Sequence, residues 1–288
     1  MSAVMSELPL MLFTALAPVS AGAFVALALA FATTKFSDDQ LKKIDRMTAI
    51  PLVVLFAGFV CSFFHLANPL HVLGVFAGTG SSPLSNELLA GALFTALAVV
   101  YWACSLAGKL RGMARVALAA VLAVASLAFV CLIGAAYMVD TIVSWNTPLS
   151  IVQMLGYALL GGTALGVLVI GLSGSLDTAR TGSFRSAAFT ALGAGLALAV
   201  VGVCAQVARV SSLSNALASG AILAAEATAP LVIGVVLMVA AAAAAFFALR
   251  GKGSRVLMAT APALATVGVF SARLVFYSVQ MSAGICIS

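Results

Sequence analysis

Three ionisable side chains stand inside or at the edge of long apolar runs. They are His65 in Phe63-Phe64-His65-Leu66, Glu87 in Leu84-Ser85-Asn86-Glu87, and Arg273 in Phe270-Ser271-Ala272-Arg273. Ionisable groups at membrane depth are costly, so each requires a reason to be there. His65 closes one apolar run and Glu87 opens the next, with the 17-residue stretch Asn68 to Leu84 joining them. Sequential antiparallel helices tend to pack side by side, which predicts that the imidazole and the carboxylate meet at one membrane edge. Such a pair suits the head group of a quinol arriving from the lipid. An imidazole, with an unperturbed pKa of about 6.5, can donate or accept a proton there, and a carboxylate can relay one to water. Blander roles are open to each residue alone: His65 as an interfacial side chain, and Glu87 as a first-turn acid behind an N-cap at Ser85. Arg273 reads as a side chain snorkelling to the interface, as a partner of Glu87 or another acid of the same side, or as a residue shaping the quinol pocket, with Tyr277 four residues on and on the same face.

A haem competes for the histidines. The sequence has only two, His65 and His71, with Pro69 between them. On a continuous helix residues six apart diverge by about 240° and ~9 Å along the axis, so they cannot sandwich one iron. The five cysteines, Cys61, Cys104, Cys131, Cys204 and Cys286, contain no Cys-x-x-Cys pair. Clusters and structural zinc need several convergent ligands, so neither metal nor haem is expected here, and the cysteines read as packing residues.

The elements that must position these groups follow from composition. Of 288 residues, 64% are hydrophobic and 8% charged. A soluble domain carries about 25% charged residues, so a water-soluble enzyme, a nucleic-acid binder and a disordered protein are all excluded. Eight apolar runs are long enough to cross a bilayer as helices: approximately Leu8–Thr34, Ala49–Ala67, Ser85–Gly108, Val116–Met138, Ser150–Gly174, Ser186–Ala208, Ala227–Leu249 and Val256–Tyr277. The expectation is an all-α integral membrane protein, one polytopic domain over residues 1–288. The first run is too long, and lacks the basic lead, for a cleaved signal peptide.

Twelve of the fourteen basic residues fall in loops of one side: Lys35, Lys42, Lys43, Arg46, Lys109, Arg111, Arg115, Arg180, Arg185, Arg250, Lys252 and Arg255. Only Arg209 and Arg273 fall on the other side. The positive-inside rule puts the basic loops in the cytoplasm and both termini on the non-cytoplasmic side. His65 and Glu87 then lie at the non-cytoplasmic edge. The net charge of +6 is thus a topology signal with a component for anionic lipid. Gly162 and Gly166 form a small-residue pair that serves packing within the bundle or, alternatively, a dimer interface. Tyr137 and Trp145, near Asp140, read as members of the interfacial aromatic belt.

On these residues the sequence resembles the membrane anchor subunit of dimethyl sulfoxide reductase-type molybdoenzymes. The resemblance rests on Glu7-Leu8-Pro9-Leu10-Met11-Leu12-Phe13, on His65-Leu66 with Pro69, on Leu84-Ser85-Asn86-Glu87, and on Arg273 with Phe276-Tyr277, Met281 and Gly284. It extends from end to end, and the order and spacing of short motifs carry it. It implies eight transmembrane helices, no haem, and a menaquinol site in which His65 and Glu87 take part in quinol oxidation, with Ser85, Asn86, Arg273 and Tyr277 around them. It also implies two partners, an iron–sulfur electron-transfer subunit and a molybdopterin catalytic subunit, in the cytoplasmic membrane of a bacterium. His71 departs from the pattern, where a basic Arg is expected. Two other classes fit the composition. A solute or ion transporter would place its polar groups at the midplane, and a passive tether would bind no quinol.

Overall fold

The computed structural model describes residues 6–64, 69–216, 218–251 and 255–283. Eight helical segments among them are long and apolar enough to cross a membrane. The helices are α1 (Leu8–Thr33), α2 (Asp38–Met47), α3 (Ala49–Phe63), α4 (Pro83–Leu106), α5 (Gly112–Ala135), α6 (Leu149–Leu172), α7 (Leu176–Thr181), α8 (Phe184–Ser211), α9 (Gly220–Glu226), α10 (Thr228–Leu249) and α11 (Arg255–Ser278). A 3-10 segment, Pro69–Gly78, lies between α3 and α4. Strand pairing among the described residues is confined to isolated bridges, Ile142 with Ser282 and Ser214 with Ser219.

Each long helix is apolar on every side, as expected where one face meets neighbours and the other meets lipid. Val53, Phe56, Val60, Leu93, Val100, Val124, Val201, Val236 and Val267 form that outer face. α1 and α6 are the most deeply buried spans, and they lie against each other at the centre. Glycine permits this. A Cβ on Gly22 would collide with the carbonyl of Ala158, and one on Gly162 with the backbone of Gly22 and Ala23. The pair Gly162 and Gly166 therefore serves packing inside the bundle, against α1. Pro18 and Pro262 sit inside α1 and α11, which remain continuous helices.

The structure corrects several boundaries. The second span starts at Ala49, as expected, but a separate amphipathic helix, α2, whose capping box joins Ser37 and Gln40, precedes it where a loop was expected. Its residue Asp45 is not a loop acid. It is buried and pairs with Arg115 of α5 through Nη1 at 2.5 Å and Nη2 at 2.9 Å. Arg115 is thus a buried helical residue, not a loop cation. α4 starts earlier than expected: Ser82 is its N-cap and accepts from the Ser85 amide, with Pro83 at the first helical position. The cysteines are not core residues. Cys61, Cys104 and Cys131 are half-buried and Cys204 is exposed, on the outside of the bundle, where a thiol is apolar enough for lipid. Cys286 lies outside the described residues.

The helix termini define two ends. One carries the turns with Lys35, Lys109, Arg180 and Arg250, and is called the basic end below. The opposite end holds the start of α1, the Pro69–Gly78 segment, the 136–148 loop and the residues after α11. There the backbone beyond α11 is tied down: the Ala283 amide donates to the Thr141 carbonyl at 2.9 Å, and the Met281 amide to Ser144 Oγ at 2.9 Å.

Candidate quinol site

At the opposite end the helices enclose a cavity of about 490 Å³. Leu10 and Phe13 of α1 line it, with Phe59, Ser62 and Phe63 of α3, Val75 of the 3-10 segment and Leu84, Glu87 and Leu88 of α4. Ala136, Tyr137, Val139 and Trp145, which follow α5, complete it. Its volume falls in the range that holds most of a small organic ligand, about 300–1,000 Å³. Its wall is apolar and aromatic, and Glu87 is the only acidic or basic side chain among the described lining residues.

The position of Glu87 argues against a capping role. With Pro83 as the first helical residue, Glu87 lies in the second turn, and the first turn of α4 holds no acid. The side chain is buried, at 6% exposure. α3 rests mainly on α1, and α4 mainly on α5, so the two helices expected to pack as neighbours touch little. The cavity lies where they would have met. Phe59 bridges part of that distance: its ring lies 5.6 Å from Phe13 and 6.0 Å from Phe129, and Gly91 of α4 leaves it room. Two of the lining side chains, Phe63 and Leu84, are exposed, so the rim presents an apolar surface.

Arg273 does not snorkel. Its side chain is fully buried, and its Nε donates to Thr14 Oγ1 at 2.9 Å. The guanidinium carbon sits 4.0 Å from the ring centre of Phe276, 4.7 Å from Tyr137 and 5.0 Å from Tyr277. Cations favour the faces of aromatic rings, so the rings replace part of the lost hydration. Nη1 and Nη2 have no hydrogen-bond partner among the described residues. No Arg273 nitrogen hydrogen-bonds Glu87. Arg273 is therefore a cation behind the aromatic wall and not a lining residue.

The remaining expected residues separate into two groups. Tyr277 is buried behind the cavity, and its hydroxyl pairs with that of Tyr137 at 2.5 Å. Ser85 is buried beside Gly78, and Asn86 Oδ1 accepts from the Gly80 amide at 2.7 Å. Ser85 and Asn86 thus hold the turn before α4 and do not line the cavity. His65 lies outside the described residues, as does the side chain of His71. Phe63, two positions before His65 in the sequence, lines the cavity.

Tyr137 and Trp145 are not members of an interfacial belt. Both are buried. The Trp145 ring stacks on Phe276 with centroids 5.1 Å apart, and its Nε1 donates to the Phe276 carbonyl at 3.0 Å. An aromatic residue at a membrane edge has the same sequence context whether it faces lipid or a pocket, so composition could not distinguish the two. Phe13, Phe59 and Ser62 were missed for a related reason: they come from helices whose shared cavity exists only in three dimensions. Among the described residues no group of His, Cys, Asp and Glu could hold a metal ion.

Fold and cavity together define a class: a multi-pass helical membrane protein with an apolar site at one end of its bundle. A sequence model of the DMSO reductase anchor subunit (DmsC) matches residues 1–279, and the protein belongs to that family. It is 30% identical over 159 residues to the C subunit of the anaerobic dimethyl sulfoxide reductase of Haemophilus influenzae, a match covering 55% of this sequence and 57% of the relative. It is 30% identical over 172 residues to the corresponding C subunit of Escherichia coli, covering 58% and 59%. To the anaerobic dimethyl sulfoxide reductase protein YnfH of Escherichia coli it is 27% identical over 165 residues, covering 57% of each. The match thus spans somewhat more than half the length of each relative.

Proposed function

We propose that this protein is the membrane anchor and quinol-oxidising subunit of a molybdopterin oxidoreductase complex, with menaquinol as its lipid-borne reductant. The observation that carries the reading is the apolar cavity of about 490 Å³ with Glu87 in its wall and exposed Phe63 and Leu84 at its rim. A quinol ring is flat, apolar and aromatic, and each of its two hydroxyls must be held and deprotonated. Phe13, Phe59 and Trp145 supply ring contacts and Glu87 accepts one hydroxyl proton. His65 is the proposed partner for the second hydroxyl. Oxidation removes two electrons and two protons from the quinol and leaves the quinone. The protons pass from Glu87 and His65 to water at the nearby membrane surface. The electrons pass to an iron–sulfur subunit docked over the same end, and from there to the molybdopterin subunit. By itself the anchor completes no catalytic cycle.

Glu87→Gln tests this in the assembled complex. A positioned general base contributes about 10²–10⁴-fold, so quinol-driven turnover should fall by about 100-fold or more. Reduction driven by a soluble dye, which bypasses the anchor, should stay at the wild-type rate. Equal quinol-driven rates in wild type and variant would overturn the reading. A quinone analogue that binds the wild-type protein without saturation would instead support a passive tether.

A further inference from the structure

A second cavity, of about 370 Å³, lies at the basic end between α2, the close of α4 and the start of α5. It differs in chemistry from the first: its wall carries Lys42, Arg46, Arg111 and Arg115 against Asp38 and Asp45. Asp45 is already neutralised, because both its carboxylate oxygens are held by Arg115. Lys42 and Arg46 lie four residues apart and so share one face of α2. Excess positive charge therefore faces the cavity. Its floor holds unsatisfied polar groups. Ser105 Oγ and Arg115 Nε both belong to buried lining residues and have no hydrogen-bond partner among the described residues, nor does the Tyr101 hydroxyl. The Tyr101 hydroxyl lies within interaction range of both Ser105 and Arg115, so the three form one polar cluster beneath the cavity. A basic wall above a buried polar cluster suits an acceptor-rich ligand.

We propose that this cavity binds a phosphate group, supplied by an anionic phospholipid of the adjoining leaflet. The phosphate takes the charges of Lys42, Arg46 and Arg111, which line the cavity beside the Arg115–Asp45 pair. Exposed Leu106 and Met113 beside the cavity give the acyl groups an apolar surface. Basic pockets between helices at the cytoplasmic side are suited to such head groups. The site is independent of Glu87, and it can exist whether or not the protein oxidises quinol.

The experiment is native mass spectrometry of the full purified protein in neutral detergent, titrated separately with phosphatidylglycerol, phosphatidylcholine and inorganic phosphate. Saturable binding of phosphatidylglycerol well above phosphatidylcholine is expected, with the double variant Lys42→Gln/Arg46→Gln binding about thirtyfold more weakly. Ser105→Leu fills the cavity without changing charge and should abolish the same binding, while Glu87→Gln should leave it intact. Inorganic phosphate binding alone, lost in the same variants, would assign the site to a soluble phosphate source and overturn the lipid assignment. Binding of neither probe, or undiminished lipid binding in a folded Ser105→Leu protein, would overturn the proposal.

Discussion

At the scale of single residues, a cation stands behind the wall of the first cavity without lining it. Arg273 is enclosed by Tyr137, Phe276 and Tyr277 and tied to Thr14, and none of its nitrogens hydrogen-bonds Glu87. A formal ion pair would remove the carboxylate from the cavity wall, whereas a positive charge held behind an aromatic layer leaves it free to meet a ligand. The two tyrosines depend on each other: their hydroxyls share one hydrogen bond, and both are buried. Tyr137→Phe keeps the ring in the cavity wall but leaves the Tyr277 hydroxyl without that partner. An unsatisfied buried hydroxyl costs about 1–3 kcal/mol, so thermal unfolding in detergent should begin at a lower temperature. Quinone-analogue affinity should change little, because the wall is intact. The double variant Tyr137→Phe/Tyr277→Phe should recover much of the stability. A single variant as stable as wild type would show that the pair contributes nothing. Of this arrangement, the sequence singles out Glu87 and Arg273 as residues that need a partner or a pocket, because charge within an apolar run demands explanation. The burial of Arg273, Tyr137 and Trp145 was not legible there, since residues 137, 145 and 273 are brought together only by tertiary packing.

At the scale of elements, the eight spans were readable because a run of about 20 apolar residues has few other uses. The starts of helices were harder to read. Ser82 and Ser85 are both acceptable caps, and the deciding signal was Pro83, which belongs at a first helical position. The capping box of α2 was present as Ser37 and Gln40, but the charged segment between two spans resembled a loop. Its last turn docks through Asp45, which meets Arg115 70 positions away, a contact that no local pattern encodes. The contact between α1 and α6 is the opposite case, because the small-residue pair at Gly162 and Gly166 pointed to a close approach. The approach is specific enough to be broken. A side chain on Gly162 has no free space, since even a Cβ meets the α1 backbone. Gly162→Leu should force the two central helices apart, lower the yield of folded protein and reduce quinone-analogue binding, because α1 also supplies Leu10 and Phe13 to the cavity. Gly193→Leu is the control, as a Cβ there meets nothing within 4 Å. Similar thermal stability for the two variants would contradict a central role for the α1–α6 contact.

At the scale of the whole molecule, the two cavities occupy opposite ends and divide the chemistry between them. The end with Glu87 is apolar and carries few cations, and the end with Lys42 and Arg46 is polar and basic. The burial of Arg115 against Asp45 does not disturb the charge asymmetry, because the pair is neutral and the remaining loop cations still fall almost wholly on one side. Nor does Arg273 weigh against it, as that charge is enclosed within α11 packing and absent from any loop. The positive-inside rule then predicts that the basic end faces the cytoplasm and that Glu87 lies toward the far surface. A phosphatase reporter that is active only after export, fused beyond Ser278, should be active. The same reporter fused after Lys109, in the turn between α4 and α5, should be inactive, and a fluorescent reporter that folds only in the cytoplasm should give the reverse pattern. If the fusion beyond Ser278 is silent and the Lys109 fusion active, the molecule is inverted. The proposed redox partner would then have to dock in the cytoplasm, and protons from Glu87 would be released on the side from which respiration must remove them.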